Sequence, residues 1–227
     1  MNKKIVLFGS GKIAEVVYYY ATEECGFEVV AFCVDDEYKK TDNLLGKPVI
    51  GFTEVESKYP PDSFDMFIGV GYHDLNELRK QKCEEAIAKG YKLVSIISPK
   101  AGVPLNVTHG YNCFFMSPAI IHPYVSFGNN VFVWSGAMVG HHSNIGDHCW
   151  LTSTCNIGGN VKMGEQVFVA MNVTISHSVE IGDKCFLGSN TLVIKNLENE
   201  QVVIAESSKP IRLNSKQFLK MSGFKSM

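Results

Sequence analysis

From Ile121 to Val193 a large apolar residue recurs at every sixth position: Ile121, Phe127, Val133, Val139, Ile145, Leu151, Ile157, Met163, Val169, Ile175, Ile181, Leu187 and Val193. Four residues after each stands a small or medium-sized one, among them Val125, Ala137, Ser143, Cys149, Cys155, Val161, Val173, Cys185 and Thr191. Glycine often follows the first position, as at Gly128, Gly140, Gly146, Gly158, Gly164, Gly182 and Gly188. A helix, with 3.6 residues per turn, cannot hold this register, and a strand alternates with period 2. A strict period of six predicts a solenoid of short strands. Three hexads close one triangular coil, with the large residue filling the prism and the smaller one entering a tighter slot near a corner. Coils then stack at the strand spacing of about 4.8 Å, with backbone hydrogen bonds running from coil to coil. The register continues weakly upstream through Phe115, His109, Val103 and Ile97, which gives about five coils with His109 a poor fit.

The first ninety residues follow another pattern. Apolar runs at Lys4–Phe8, Phe27–Val34, Met66–Val70 and Lys92–Ile97 read as strands. Helical stretches lie between them, over Ala14–Glu24 and about His73–Lys89. Strands alternating with helices predict a small parallel, Rossmann-like sheet. The expected division is residues 1–97 as an α/β domain, 98–206 as the solenoid, and 207–227 as a tail with a short helix near Ser215–Met221.

Composition narrows the function. Charged residues make up 19 % and the formal net charge is −2, with no basic stripe, so nucleic acid is not an expected partner. No run approaches the roughly 18 apolar residues of a membrane span. Seven cysteines, with no C-x-x-C, fit reduced thiols and a cytoplasmic location better than a disulfide framework or a zinc knuckle. Cys149, Cys155 and Cys185 fall in the repeat, where they read as small inward fillers.

Two segments carry candidate chemistry. Gly9-Ser10-Gly11 stands where a strand turns into a helix, a place where backbone can approach a phosphate and the helix N-terminus favours its charge. Gly9-x-Gly11-x-x-Ala14 followed by Asp35 is also similar to a dinucleotide fingerprint, but no hydride-transfer site accompanies it, which disfavours NAD. The second segment is Val139-Gly140-His141-His142-Ser143-Asn144, with two adjacent imidazoles inside the repeat. His122, His148 and His177 read as structural or exposed.

A hexapeptide repeat resembles the left-handed β-helix superfamily, which is rich in acyltransferases. The α/β domain in front of it narrows the resemblance to the sialic-acid O-acetyltransferase family, with its NeuD-like and PglD-like members. The likeness shows in Leu7-Phe8-Gly9-Ser10-Gly11, Val34-Asp35-Asp36, Leu45-Gly46-Lys47-Pro48-Val49-Ile50-Gly51, Ile68-Gly69-Val70-Gly71 and Ile97-Ser98-Pro99-Lys100-Ala101, and covers nearly the whole chain.

The resemblance implies a homotrimer with active sites between subunits, acetyl-CoA as co-substrate, no metal, and a nucleotide-linked amino sugar as acceptor. It implies contacts to the nucleotide sugar from Ser10, Gly11, Lys12, Asp35, Asp36 and Gly69. His141 would be the general base; His142, the second residue placed at the catalytic end, stands where the family often has a glutamate and cannot supply its negative charge. Trp150, Gly159, Met171 and Ser189 would meet acetyl-CoA, Trp150 standing where relatives often carry a histidine. Asp147 or Glu165 is expected to orient His141 if His142 does not. N-acetylation of the amino sugar is the expected reaction. The competing readings are O-acetylation of a sialic-acid type hydroxyl, a non-catalytic nucleotide-sugar-binding trimer, and a zinc hydratase built from histidines across the trimer.

Overall fold

A computed structural model describes residues 3–223. The N-terminal part runs β1 (Lys4–Phe8), α1 (Lys12–Tyr19), β2 (Glu28–Val34), β3 (Asn43–Leu44), β4 (Lys47–Gly51), α2 (Val55–Lys58), β5 (Asp65–Ile68) and α3 (Glu77–Ala88). The sheet order is β3-β4-β2-β1-β5, parallel except for the β3–β4 hairpin. β1 therefore lies inside the sheet between β2 and β5, and the strand order reverses beside it, which opens a crevice at the carboxyl ends of the strands. Residues on both sides of β1 are buried, as a doubly covered parallel strand requires. Val6, Met66 and Ile68 pack with Cys83 and Ala86 of α3. Ile5, Leu7, Phe32 and Phe67 face the other way, into a core shared with the solenoid.

The helix expected from Ala14 to Glu24 is present but changes pitch, with a π-helical turn over Tyr20–Glu24. That turn aims the Tyr20 hydroxyl at the Ser117 carbonyl, 3.3 Å away, and brings Glu24 to Ser98, Ser117 and Lys100. The expected strand at Lys92–Ile97 divides. Leu93 bridges Met66 of the sheet, whereas Ile96–Ile97 pairs with Phe114–Phe115 and is the first rung of the solenoid.

The solenoid is a left-handed β-helix of two-residue strands spaced six apart. Strands one coil apart pair in parallel, 18 residues on, as Phe132–Val133 does with Trp150–Leu151. The three faces hold seven, five and four strands. Every position read as inward from Ile121 to Val193 is buried, as are Cys149, Cys155 and Cys185. Burial pushes the Cys149 and Cys155 thiols up to about 12. The register fails at His109, which is exposed and lies edge-on to Phe115.

Two backbone features make the corners. From Phe127 to Val193 the residue three before each inward position has positive φ, from Tyr124 (65°) and Asn130 (57°) through His142 (60°), His148 (61°) and Asn160 (58°) to Asn190 (62°). Asparagine recurs there because its side chain tolerates the left-handed region. The glycine after an inward residue has another cause, since a Cβ on Gly158 would lie 2.7 Å from the His177 backbone nitrogen of the next coil.

One face carries an outward aromatic column, Phe114, Phe132, Trp150, Phe168 and Phe186, with neighbouring rings 5.0 to 5.5 Å apart where they pair. The α/β domain covers it. Phe67 meets Phe114 and Phe132, and Tyr72 meets Trp150 at 5.3 Å and Phe168 at 4.8 Å. Arg79 of α3 enters the seam fully buried, 4.4 Å over the Phe132 ring and 5.0 Å over Trp150. Its fork donates to Asn130 Oδ1, Asn76 Oδ1 and the carbonyls of Asn130, His148 and Cys149. Burial lowers its guanidinium to about 10, and the carbonyl dipoles stand in for a carboxylate partner.

Trp150, expected to meet acetyl-CoA, is part of this seam: it is 1 % exposed, and its ring packs between Phe132, Tyr72 and Arg79. His148 is structural. Its Nδ1 contacts Asn130 Nδ2 at 2.9 Å, and burial lowers its pKa to about 4. The tail forms α4 (Ser215–Met221), as expected, closed by an Asn214–Gln217 capping box. The last four residues of the 207–227 segment lie outside the described ones.

Candidate active site

The crevice at the carboxyl ends of β1, β2 and β5 is a cavity of about 780 Å³. Phe8, Gly9, Ser10, Gly11, Lys12 and Ile13 form one wall, Val34, Asp35 and Tyr38 the second, and Gly69 through His73 with Leu78 the third. Gly9 is required by space and by backbone: its φ is 118°, and a Cβ would stand 2.8 Å from the Gly69 carbonyl. Asp35 accepts from Lys82 Nζ at 2.7 Å, and Glu85 accepts from the same ammonium. Burial opposes the charge on Lys82, but these two hydrogen bonds outweigh it and raise its pKa. Five of the six residues expected to meet a nucleotide sugar thus line one cavity. Asp36 does not, because its carboxylate turns away to accept from the Thr53 hydroxyl and backbone N–H. Tyr38, Tyr72 and His73 line the cavity without having been singled out in the sequence, where lone exposed aromatics carry no pattern.

His141 stands on one edge of the prism, where residues 18 apart lie on successive coils. Gly159 is directly next to it and His177 follows. A Cβ on Gly159 would be 2.9 Å from His141 Cε1 and Nε2 and 3.2 Å from His177 Nδ1. The φ of Gly159 is outside the left-handed region, so the backbone does not demand glycine there. The bare Cα serves the two imidazoles that lean over it, whose ring centroids are 6.1 Å apart. His177 is therefore a member of this edge, and the clue in the sequence was its separation of exactly two coils from His141.

The other ring nitrogen of His141 is engaged. Its Nδ1 lies 3.1 Å from His142 Nδ1, and the His142 ring is stacked on Tyr124 at 4.7 Å. Neither alternative orienting residue does this. Asp147 accepts from the Asn129 backbone N–H and side-chain amide, and Glu165 stands in register with it, on a different edge of the prism. Met171 is 53 % exposed and Ser189 is exposed, both on the third edge, two coils that share a register of 18. Gly159 thus belongs with the histidines, and Met171 and Ser189 stand apart from them on the same chain. Among the described residues no three His, Cys, Asp or Glu side chains are grouped to hold a metal ion, and no helix is long and apolar enough to cross a membrane.

Two family models match the chain. Residues 4–86 match the PglD N-terminal domain, and residues 160–195 match the bacterial transferase hexapeptide repeat. No curated protein matches the sequence. Among solved structures, PerB from Caulobacter crescentus, in complex with CoA and GDP-perosamine, is 26 % identical, with a TM-score of 0.80 over 90 % of this chain and 95 % of that one. The acetyltransferase domain of PglB from Neisseria gonorrhoeae, in complex with acetyl coenzyme A, is 24 % identical, with a TM-score of 0.80 over 93 % and 100 %. WeeI from Acinetobacter baumannii is 15 % identical, with a TM-score of 0.63 over 89 % and 97 %. The last two likenesses bear on the fold alone. The chain thus joins a PglD N-terminal domain to a bacterial transferase hexapeptide repeat, the make-up of an acyl-CoA-dependent acetyltransferase on a left-handed β-helix.

Proposed function

We propose that the protein transfers an acetyl group from acetyl-CoA to the amine of a nucleotide-linked amino sugar, in the cytoplasm, as a step in making a surface glycan. The observation that carries this reading is the edge at His141, an exposed imidazole with Nε2 over a bare glycine and Nδ1 held by a neighbour. The cavity on the α/β domain supports the acceptor class. Its glycine turn at the start of α1 suits phosphates, and Asp35 suits a ribose or base. The complex of PerB with CoA and GDP-perosamine points the same way.

In the proposed reaction the amine attacks the thioester carbonyl, and His141 Nε2 takes the proton the nitrogen loses. The tetrahedral intermediate collapses, the C–S bond breaks, and CoA leaves with the proton returned to its sulfur. No covalent enzyme intermediate is needed. The protein supplies a base, alignment and donors for the thioester oxygen. The reaction edge (His141, Gly159) and the CoA edge (Met171, Ser189) are different corners of one prism. They come together when one chain's histidine edge faces the next chain's CoA edge, which favours a homotrimer with shared sites.

The test is thiol release from acetyl-CoA against nucleotide-linked 3- and 4-amino sugars and free sialic acid. Release with one amino sugar, lost in His141→Ala, is the expected result. Release with sialic acid alone moves the assignment to O-acetylation, and silence with retained nucleotide-sugar binding refutes acetyl transfer. Sedimentation that finds only monomers refutes the shared site.

A further inference from the structure

The His141 Nδ1 to His142 Nδ1 separation of 3.1 Å constrains protons as well as positions. Two ring nitrogens share a hydrogen bond only if one carries the proton and the other a lone pair. If His142 donates, neutral His141 keeps its own proton on Nε2 and cannot accept another from the sugar. If His141 donates, Nε2 is left with a lone pair, and that is the atom over Gly159.

The surroundings of His142 suit a fixed acceptor. Its backbone sits in the left-handed corner position at φ 60°. Tyr124, one coil earlier in the same register, stacks on it at 4.7 Å and 26° between ring planes. The two carboxylates in reach by sequence, Asp147 and Glu165, stand on another edge.

We propose that His142 is a positioning residue. Clamped by Tyr124, it accepts the Nδ1–H of His141 on its own Nδ1 and so holds His141 in the tautomer whose Nε2 is free to take a proton. The inference rests on the reading of His141 as the base.

Two substitutions separate this from a packing role, because both suit a φ of 60°. His142→Asn keeps an acceptor oxygen close to the place of Nδ1, and His142→Gly removes it. With acetyl-CoA and the acceptor sugar, His142→Gly is expected to lower kcat about tenfold or more with KM unchanged, while His142→Asn stays within about threefold of wild type. Long-range 15N–1H NMR of imidazole-labelled protein, assigned with His141→Gln, reads the tautomer without any turnover. Nδ1–H is expected at His141 in wild type and in His142→Asn, and a tautomer mixture in His142→Gly. An Nε2–H tautomer at His141 in the wild type overturns the proposal. Equal kcat in the two variants, whether both at the wild-type level or both depressed, overturns it too. If no acceptor is acetylated, the functional reading fails while the tautomer measurement still decides the role of His142.

Discussion

Replacing Gly159 by alanine adds a single methyl group at a point where the backbone accepts it. The methyl carbon would lie 2.9 Å from His141 Cε1 and Nε2. Ordinary contact between such atoms is about 3.5 to 4.0 Å, so the ring must retreat by roughly 0.6 to 1 Å. His177 Nδ1, at 3.2 Å, must also yield. A displacement of about 1 Å at a reacting group costs on the order of 10² in rate, or about 3 kcal/mol of barrier. The assay is thiol release from acetyl-CoA with the acceptor identified by the sugar panel. We expect kcat/KM to fall about 30- to 100-fold while the melting temperature stays within about 3 °C of wild type. The adjacent Gly158→Ala should fail in the opposite way, losing stability first, because its methyl group meets backbone of the next coil rather than a ring that can turn. A folded Gly159→Ala protein with undiminished kcat/KM would show that the reaction does not occur over Gly159, and the base role of His141 would go with it.

Four further outcomes are expected. His141→Ala should lower turnover by about 10² or more, the scale for a lost general base, with the assembly intact by sedimentation. Asp35→Ala leaves Lys82 with Glu85 as its one carboxylate partner at the cavity wall and should weaken nucleotide-sugar binding about tenfold by calorimetry. His148 has its folded pKa lowered to about 4, so the unfolded chain binds its proton first. Its contribution is complete above about pH 6.5 and lost as the pH falls towards 4, up to about 3 kcal/mol. His148→Asn, which keeps an acceptor and suits φ 61°, should flatten the urea-midpoint profile over that window, and an unchanged profile would refute the buried neutral imidazole. Arg79→Met removes the donors to the Asn130, His148 and Cys149 carbonyls and should cost about 3 kcal/mol by thermal melting.

The repeat was legible because one physical demand recurs without interruption: a prism interior that admits one large side chain every six residues. The family resemblance, rather than the periodicity, singled out His141. What the periodicity did not reveal depends on which neighbour covers which face. Trp150 occupies an outward position, and nothing local distinguishes an outward aromatic awaiting a ligand from one lying under another domain. Its column partners Phe132 and Phe168 were the available hint. Asp36 had the right position in sequence beside Asp35, but the chain leaves the strand there for a 3-10 turn over Asp36–Tyr38, and Thr53 received the second carboxylate. His177 was passed over because an isolated exposed histidine has no pattern until residues are read in steps of 18.

That step of 18 also makes the β-helix a ruler. Edges are fixed directions, and height along the prism is counted in whole coils of about 4.8 Å. Inserting one coil of 18 residues between Gly159 and Met171 would leave every side chain on its own edge, yet slide the CoA edge by one notch against the base. Any other indel would have to bulge at a corner or rotate everything beyond it to a new edge. The reach between donor and acceptor can therefore change by notches without rebuilding either end, which offers such a scaffold a stepwise route to acyl groups or sugars of different length.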